Sequence, residues 1–493
     1  MTGLLHNEDC TDFFYTQDFP PGRAGEIVDR YVDVIAGAGV TVLFCNTNAR
    51  RTNYRSAVWE AFWDGYDPDG PDDQPFLAAI PAAQRVRWRK LVHNMLDVHR
   101  QNVDYPARVI ERCRHQGISP WISLRMNDAH CNDNLDHPFH GAIWRRLEYF
   151  RKGHPGYYAR CLDYAHADVR NLYRALVAET LERYDVDGIE LDFMREPYLF
   201  SAGQEQKGRE ILSEWLREIR RLVDAASQKH SRTIKIGVRV PSDPGVAMAL
   251  GLDAPEWARE HLVDLVVPTP RWRTMQFDIP LARWRELLGP RVTLAGGLES
   301  RCQPSVGGPV DNLDPDYDAG AAVAVLSGGA DAVYLFNHFQ NSGRWSIPEY
   351  QRRLRSMRSL DSLNRQPRRH AVTHREIVVP GEDYRPPLPA TGKGLSFRLP
   401  LGPVPPDGWR AEVRVEVQGR RPSHPPPQVS VNSVACQLAG EEPDNKGKRW
   451  ANYTIPSEAL PGENRDVIDI TATGDRSVTV CRVEVRFAPA VAP

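Results

Sequence analysis

Asp128 and His130 stand at the end of a run, Trp121-Ile122-Ser123-Leu124-Arg125-Met126-Asn127, in which apolar and polar side chains alternate. In an extended strand Ile122, Leu124 and Met126 share one face and Ser123, Arg125 and Asn127 the other. A strand wrapped by helices usually reads as nearly continuous apolar residues. One that turns polar and ends in an acid and a histidine suits a barrel strand delivering catalytic groups to its rim. An antiparallel strand with one wet face gives the same alternation, so the neighbouring segments decide.

Other segments repeat the pattern. Asn7, Glu8, Asp9 and Asp12 follow the first apolar run; Glu190, Asp192, Arg195 and Glu196 close another. Arg239 and Asp243, then Arg271 and Arg273, then Glu299, and finally Asn337 and His338 follow later runs. Any one of these is ordinarily a salt-bridged loop residue. Converging on one rim, carboxylates, arginines and a histidine suit acid–base chemistry on a polar, anionic substrate.

The elements that must bring them together are legible as alternating strands and helices. Strands are predicted at 4–9, 40–46, 121–130, 187–193, 234–240, 264–268, 291–295 and 332–338. Helical periodicity fills 25–36, 81–99, 106–116, 168–184, 207–230, 254–260, 280–288, 317–327 and 347–357. Eight such units over residues 1–360 predict a (β/α)8 barrel. No glycine-rich phosphate fingerprint follows the first strand, which disfavours a doubly wound sheet. Beyond Met357 the helical period disappears, and short β-rich runs between Pro- and Gly-rich turns predict a β-sandwich over 370–493. Its expected role is to pack against the barrel, with a homodimer the other use it suits.

Lys+Arg 62 against Asp+Glu 64 gives a net charge of -2, no footprint for nucleic acid. No apolar run reaches the ~18 residues of a membrane span, and the first residues lack a signal peptide's basic and apolar regions. The eight cysteines are scattered without CxxC, so free thiols in a reducing, cytoplasmic setting are expected. The loop His130-Cys131-Asn132-Asp133-Asn134-Leu135-Asp136-His137-Pro138-Phe139-His140 invites a metal reading. Its irregular histidine spacing matches no zinc pair, and turn chemistry accounts for the Asn/Asp run as well as calcium does. Neither metal nor cofactor is expected.

Asp187-Gly188-Ile189-Glu190-Leu191-Asp192 resembles the DGIxxD fourth strand of many barrel glycosidases. Asn7-Glu8-Asp9, the end Arg125-Met126-Asn127-Asp128-Ala129-His130 and the barrel-plus-sandwich layout resemble the exo-sialidases of glycoside hydrolase family 156. The resemblance covers most of the chain in architecture and two or three short segments in motif. It implies an inverting hydrolase of sialylated glycans, with Asp9 as general acid, His130 as general base and Asp128 supporting it. Arg125, Asn337, Arg195, Asp192 and His338 are the expected substrate contacts. Asp12 also qualifies as the acid; Asp9 is preferred as nearer the strand end. Physics favours such a base. Sialic acid carries a carboxylate on its anomeric carbon, which repels an anionic nucleophile in a dry site, whereas a neutral imidazole activating water avoids the conflict. An arginine fork suits the substrate carboxylate. Two rivals stand beside this: a retaining glycosidase on a neutral sugar using Glu196 or Asp192 with Glu299, and a non-catalytic glycan-binding barrel.

Overall fold

The computed structural model describes residues 3–154, 156–340, 345–418, 424–443, 448–460 and 467–490. Eight parallel strands close into a barrel in chain order: Gly3–Asn7, Val42–Asn46, Ser119–Arg125, Gly188–Asp192, Lys235–Pro241, Leu265–Thr269, Thr293–Glu299 and Ala332–Phe336. Helices cover the outside, from Ala24–Gly37 after the first strand to Ile347–Ser356 after the eighth. The fold is the predicted (β/α)8 barrel followed by an antiparallel, sandwich-like domain.

The strand registers fix which side chains enter the barrel. Ser123 lies beside Glu190 and Arg125 beside Asp192, and Asp192 in turn lies beside Arg239. Towards the strand starts the interior is apolar: Leu5, Trp121, Leu265, Ala295 and Ala332 form one buried cluster. Above it comes a polar layer. Asn7 Nδ2 lies within hydrogen-bond distance of Glu190 Oε2 at 2.8 Å, Ser123 Oγ at 3.0 Å and the Tyr334 hydroxyl at 2.7 Å, and its two hydrogens are shared among them. The Tyr334 hydroxyl in turn donates to Glu190 Oε1 at 2.8 Å. A buried carboxyl is tolerable there because each of its oxygens receives a hydrogen bond.

Strand seven carries through Gly296 and Gly297 to Glu299, and both glycines admit a neighbour. A Cβ on Gly296 would sit 2.6 Å from Val325 on the covering helix; one on Gly297 would sit 2.2 Å from Thr269 Oγ1 inside. The first and third strands end earlier than predicted, at Asn7 and Arg125. The acids after strand one therefore belong to a short helix, Cys10–Thr16, which has Asp9 as its N-cap residue and Asp12 in its first turn.

In the C-terminal domain one strand, Val467–Pro489, organises the rest. Its first half pairs with Ala390–Pro400 and Gln428–Val431, its second with Arg368–Ala371 and Trp409–Gln418. The domain packs on the barrel helix Pro315–Ser327, where a Cβ on Gly320 would lie 1.9 Å from the Arg369 carbonyl oxygen. Tyr317 donates to Glu484, and Arg369 to Asp314, across the same seam.

Trp121 fills the barrel floor because strand four offers no side chain opposite it. A Cβ on Gly188 would lie 2.5 Å from the Trp121 ring, against 3.1 Å for one on Gly237. Gly188→Ala is expected to destabilise the fold by about 1–3 kcal/mol and Gly237→Ala by less, read as urea midpoints.

Candidate active site

Asp9 and Asp128 are tied together by one guanidinium. Arg125 donates from one terminal nitrogen to Asp9 Oδ1 at 2.6 Å and from the other to Asp128 Oδ2 at 2.7 Å. Its backbone is clamped by Asn48, which accepts from the Arg125 N–H and donates to its carbonyl, each at 3.0 Å. The second oxygen of Asp128 receives two bonds from residue 130, from the backbone N–H and from ring Nδ1, both at 2.8 Å. An ionised carboxylate only accepts, so Nδ1 carries the ring proton and Nε2 is left as the basic nitrogen. Burial opposes ionisation of Asp128, but His130, Arg125 and Arg50 hold it well below the usual carboxylate range.

Asn337 holds the other side of Asp9. It accepts from the Asp9 N–H at 2.9 Å, and its Nδ2 approaches Asp9 Oδ2 at 3.4 Å. Its own N–H donates to the Asn7 carbonyl at 3.0 Å, so the ends of strands one and eight are stitched at the rim. Asn337 has φ 58°, a left-handed conformation that asparagine tolerates better than most residues.

A cavity of about 500 Å³ opens above these groups at the C-terminal end of the strands. That volume suits a small ligand. Among the residues expected from the sequence, Asp9, Asp12, His130, Arg195, Glu299 and Asn337 line it. Four others do not. Asp128 lies buried behind His130. Arg125, expected to touch substrate, lies beneath the floor with both ends of its fork occupied by carboxylates. Asp192 is paired with Arg239 at 2.8 Å inside the barrel. His338 turns away from the opening, with Nε2 3.5 Å from Asp318 and Nδ1 3.2 Å from the Phe336 carbonyl oxygen. Glu196 is likewise buried, accepting from Arg271 at 2.9 Å.

The rest of the wall includes Tyr15, Arg87, Tyr157, Arg271, Trp272 and Arg301. Arg271 belonged to the expected rim. Trp272 stood between two arginines already noted, and that spacing was its only signal. Arg87 on the helix Ala82–Arg100 and Tyr157 in the long loop after strand three carry no pattern that places them at a rim.

The histidine-rich loop after His130 serves packing. His140 Nε2 lies 3.0 Å from both the Cys131 and Asn134 carbonyl oxygens, while Arg50 donates to the Asp128 carbonyl at 2.6 Å and to Asn132. Burial pushes His140 down to about 3 and His137 to about 4, so both rings are neutral at ordinary pH. Among the described residues no group of three or more His, Cys, Asp or Glu is placed to hold a metal ion, and no helix is long and apolar enough to cross a membrane.

The acids of the cavity divide by environment. Burial alone would raise Asp9, but Arg195, at 3.3 Å, and Arg125 outweigh it and hold the carboxyl at about 2. Burial, with Glu8 and Asp9 adding to it, pushes Asp12 up to about 7. Glu299 is also raised to about 7 by burial, despite Arg239, Arg271 and Arg195.

No protein-family model matches the chain, and no curated protein does. Among solved structures it resembles alpha-L-fucosidase isoenzyme 2 from Paenibacillus thiaminolyticus at 13% identity and a TM-score of 0.44, over 72% of this chain and 48% of that one. It also resembles the PgaB glycoside hydrolase domain from Bordetella bronchiseptica at 10% identity and a TM-score of 0.43, over 73% of this chain and 99% of that one. A third is an alpha-galactosidase from Geobacillus stearothermophilus, at 12% identity and a TM-score of 0.37, over 97% of this chain and 55% of that one. The chain thus spans about half the length of the fucosidase.

The raised acids set a pH dependence. Glu190, raised to about 7 by burial and then by Asp192, joins Asp12 and Glu299. Unfolded carboxyls titrate near ~4, so between there and about 7 the folded chain binds more protons and stability falls as pH rises. Urea midpoints are expected to drop from pH 5 to pH 8, and Glu190→Gln and Glu299→Gln each to flatten that slope.

Proposed function

We propose that this chain is a glycoside hydrolase that removes terminal sialic acid from glycans with inversion at the anomeric carbon. The His130–Asp128 pair at the cavity wall carries the reading. An imidazole with Nδ1 committed to a buried carboxylate keeps Nε2 free to take a proton from water, and the imidazolium so formed is stabilised by Asp128. Water rather than a carboxylate attacks a carbon that already bears a negative group. Arg195, reaching the cavity beside Asp9, receives the substrate carboxylate, and Asn337 fixes the wall around it.

Asp9 is the general acid in this scheme. Before substrate binds it is ionised, because Arg195 and Arg125 hold it so. A substrate carboxylate that engages Arg195 withdraws one of those cations and brings a negative charge close. Both changes raise the Asp9 pKa. Substrate binding is thereby coupled to uptake of the proton later given to the leaving oxygen. Asp12 is the second reading for the acid, favoured by one observation: its carboxyl already holds a proton to about 7.

His130→Ala is expected to lower kcat on an aryl sialoside by about 10²–10⁴-fold. Proton NMR should show the anomer opposite to the substrate's forming first; retention would overturn the scheme. Asp9→Asn is expected to cost far more on sialyllactose than on an aryl sialoside whose leaving group needs no proton, and Asp12→Asn to show no such split. The reverse result would make Asp12 the acid.

A further inference from the structure

The guanidinia of the cavity differ in depth and in partners. Arg195 and Arg271 are buried, and each faces a carboxylate, Asp9 at 3.3 Å and Glu196 at 2.9 Å. Arg301 also lines the cavity but is exposed, and among the described residues no carboxylate lies within ion-pair distance of it. Its neighbour there is Trp272, half-buried, with the Arg301 guanidinium 5.1 Å from the ring centroid.

Arg301 is held in place rather than left to swing on a loose loop. Its carbonyl accepts from the Met275 N–H at 2.6 Å, and it opens a two-stranded hairpin with Arg301 beside Asn312 and Cys302 beside Asp311. The C-terminal domain anchors that hairpin: Arg482 pairs with Asp311, and Ser305 donates to the Cys481 carbonyl. A pre-positioned cation next to an aromatic face gives up little conformational freedom when it captures an anion.

An enzyme acting on chain ends places the terminal sugar at the closed, deep end of its cavity and the next sugar at the open end. The deep arginines already have carboxylates; the exposed Arg301 does not. We propose that Arg301 and Trp272 form a subsite for an acidic group on the sugar that follows the terminal sialic acid, so that the favoured substrates are glycans carrying a second negative charge beside the scissile bond. This rests on the sialidase reading and adds the class of glycan to it. Arg87, exposed on the same cavity wall and facing an Asp12 carboxyl that holds its proton to about 7, leaves the open end net positive. That local field stands against a net charge of -2 for the chain.

The test compares kcat/KM for sialyllactose, whose next sugar is neutral, with disialyl-lactose, whose next sugar bears a carboxylate, in the wild type, Arg301→Lys and Arg301→Gln. The ratio of charged to neutral substrate is expected to fall by about tenfold in Arg301→Gln and to be largely kept in Arg301→Lys, and in the wild type to shrink as salt is raised. An unchanged ratio in Arg301→Gln, or a wild-type ratio indifferent to salt, overturns the subsite. Should neither glycan be cleaved, the sialidase reading falls. The subsite is then read by calorimetry with the same two glycans. Tighter binding of the disialylated one, lost in Arg301→Gln, supports it, and equal binding overturns it.

Discussion

The site depends on one cation shared by two anions. Arg125 is buried, and breaking such a network by removing its centre would leave two carboxylates without their counter-charge, a costly state in a desolvated site. The fork also works as a ruler. Its two terminal nitrogens set the spacing between the ends of strands one and three, so the group proposed to give a proton and the group proposed to orient the base move as a unit. Arginine suits this where lysine does not, because two donors in one plane fix direction as well as distance.

Charge is balanced layer by layer up the barrel. At the floor there is none; in the next layer Glu190 is met by hydroxyls and an amide. Above that layer carboxylates and guanidinia are paired: Asp9 with Arg125 and Arg195, Asp128 with Arg125, and Glu196 with Arg271. An anion that reaches Arg195 or Arg271 exchanges partners instead of neutralising a bare cation. In the proposed scheme an anion that engages Arg195 raises the Asp9 pKa, linking recognition of the substrate to readiness of the proton donor.

Much of the architecture was legible because the barrel is written twice, in eight apolar runs and in the polar residue types that end them. The alternation from Trp121 to Asn127 separated the apolar face from the polar one that carries Ser123 and Arg125. What misled were boundaries and depth. Acids after strand one look like an extended tip until they prove to start a helix. Arg125, Asp192 and His338 look as available as Arg195, because sequence records which face a residue takes but not which partner reaches it first. Trp272 and Tyr157 were hard to see for the opposite reason: they reach the cavity from loops, where no periodicity announces direction, and Arg301 does so from a hairpin of two residues a side.

The close fit of Gly320 against the Arg369 carbonyl has a consequence for how such a chain diversifies. Where a helix presents a missing side chain to a neighbouring backbone, the two halves are cut to each other's outline like a key and its ward. The second half then cannot be exchanged by simple gene fusion, as a tethered sugar-binding module can. A change of accessory domain would require recarving the barrel's outer surface at the same time, so the two parts are constrained to descend together.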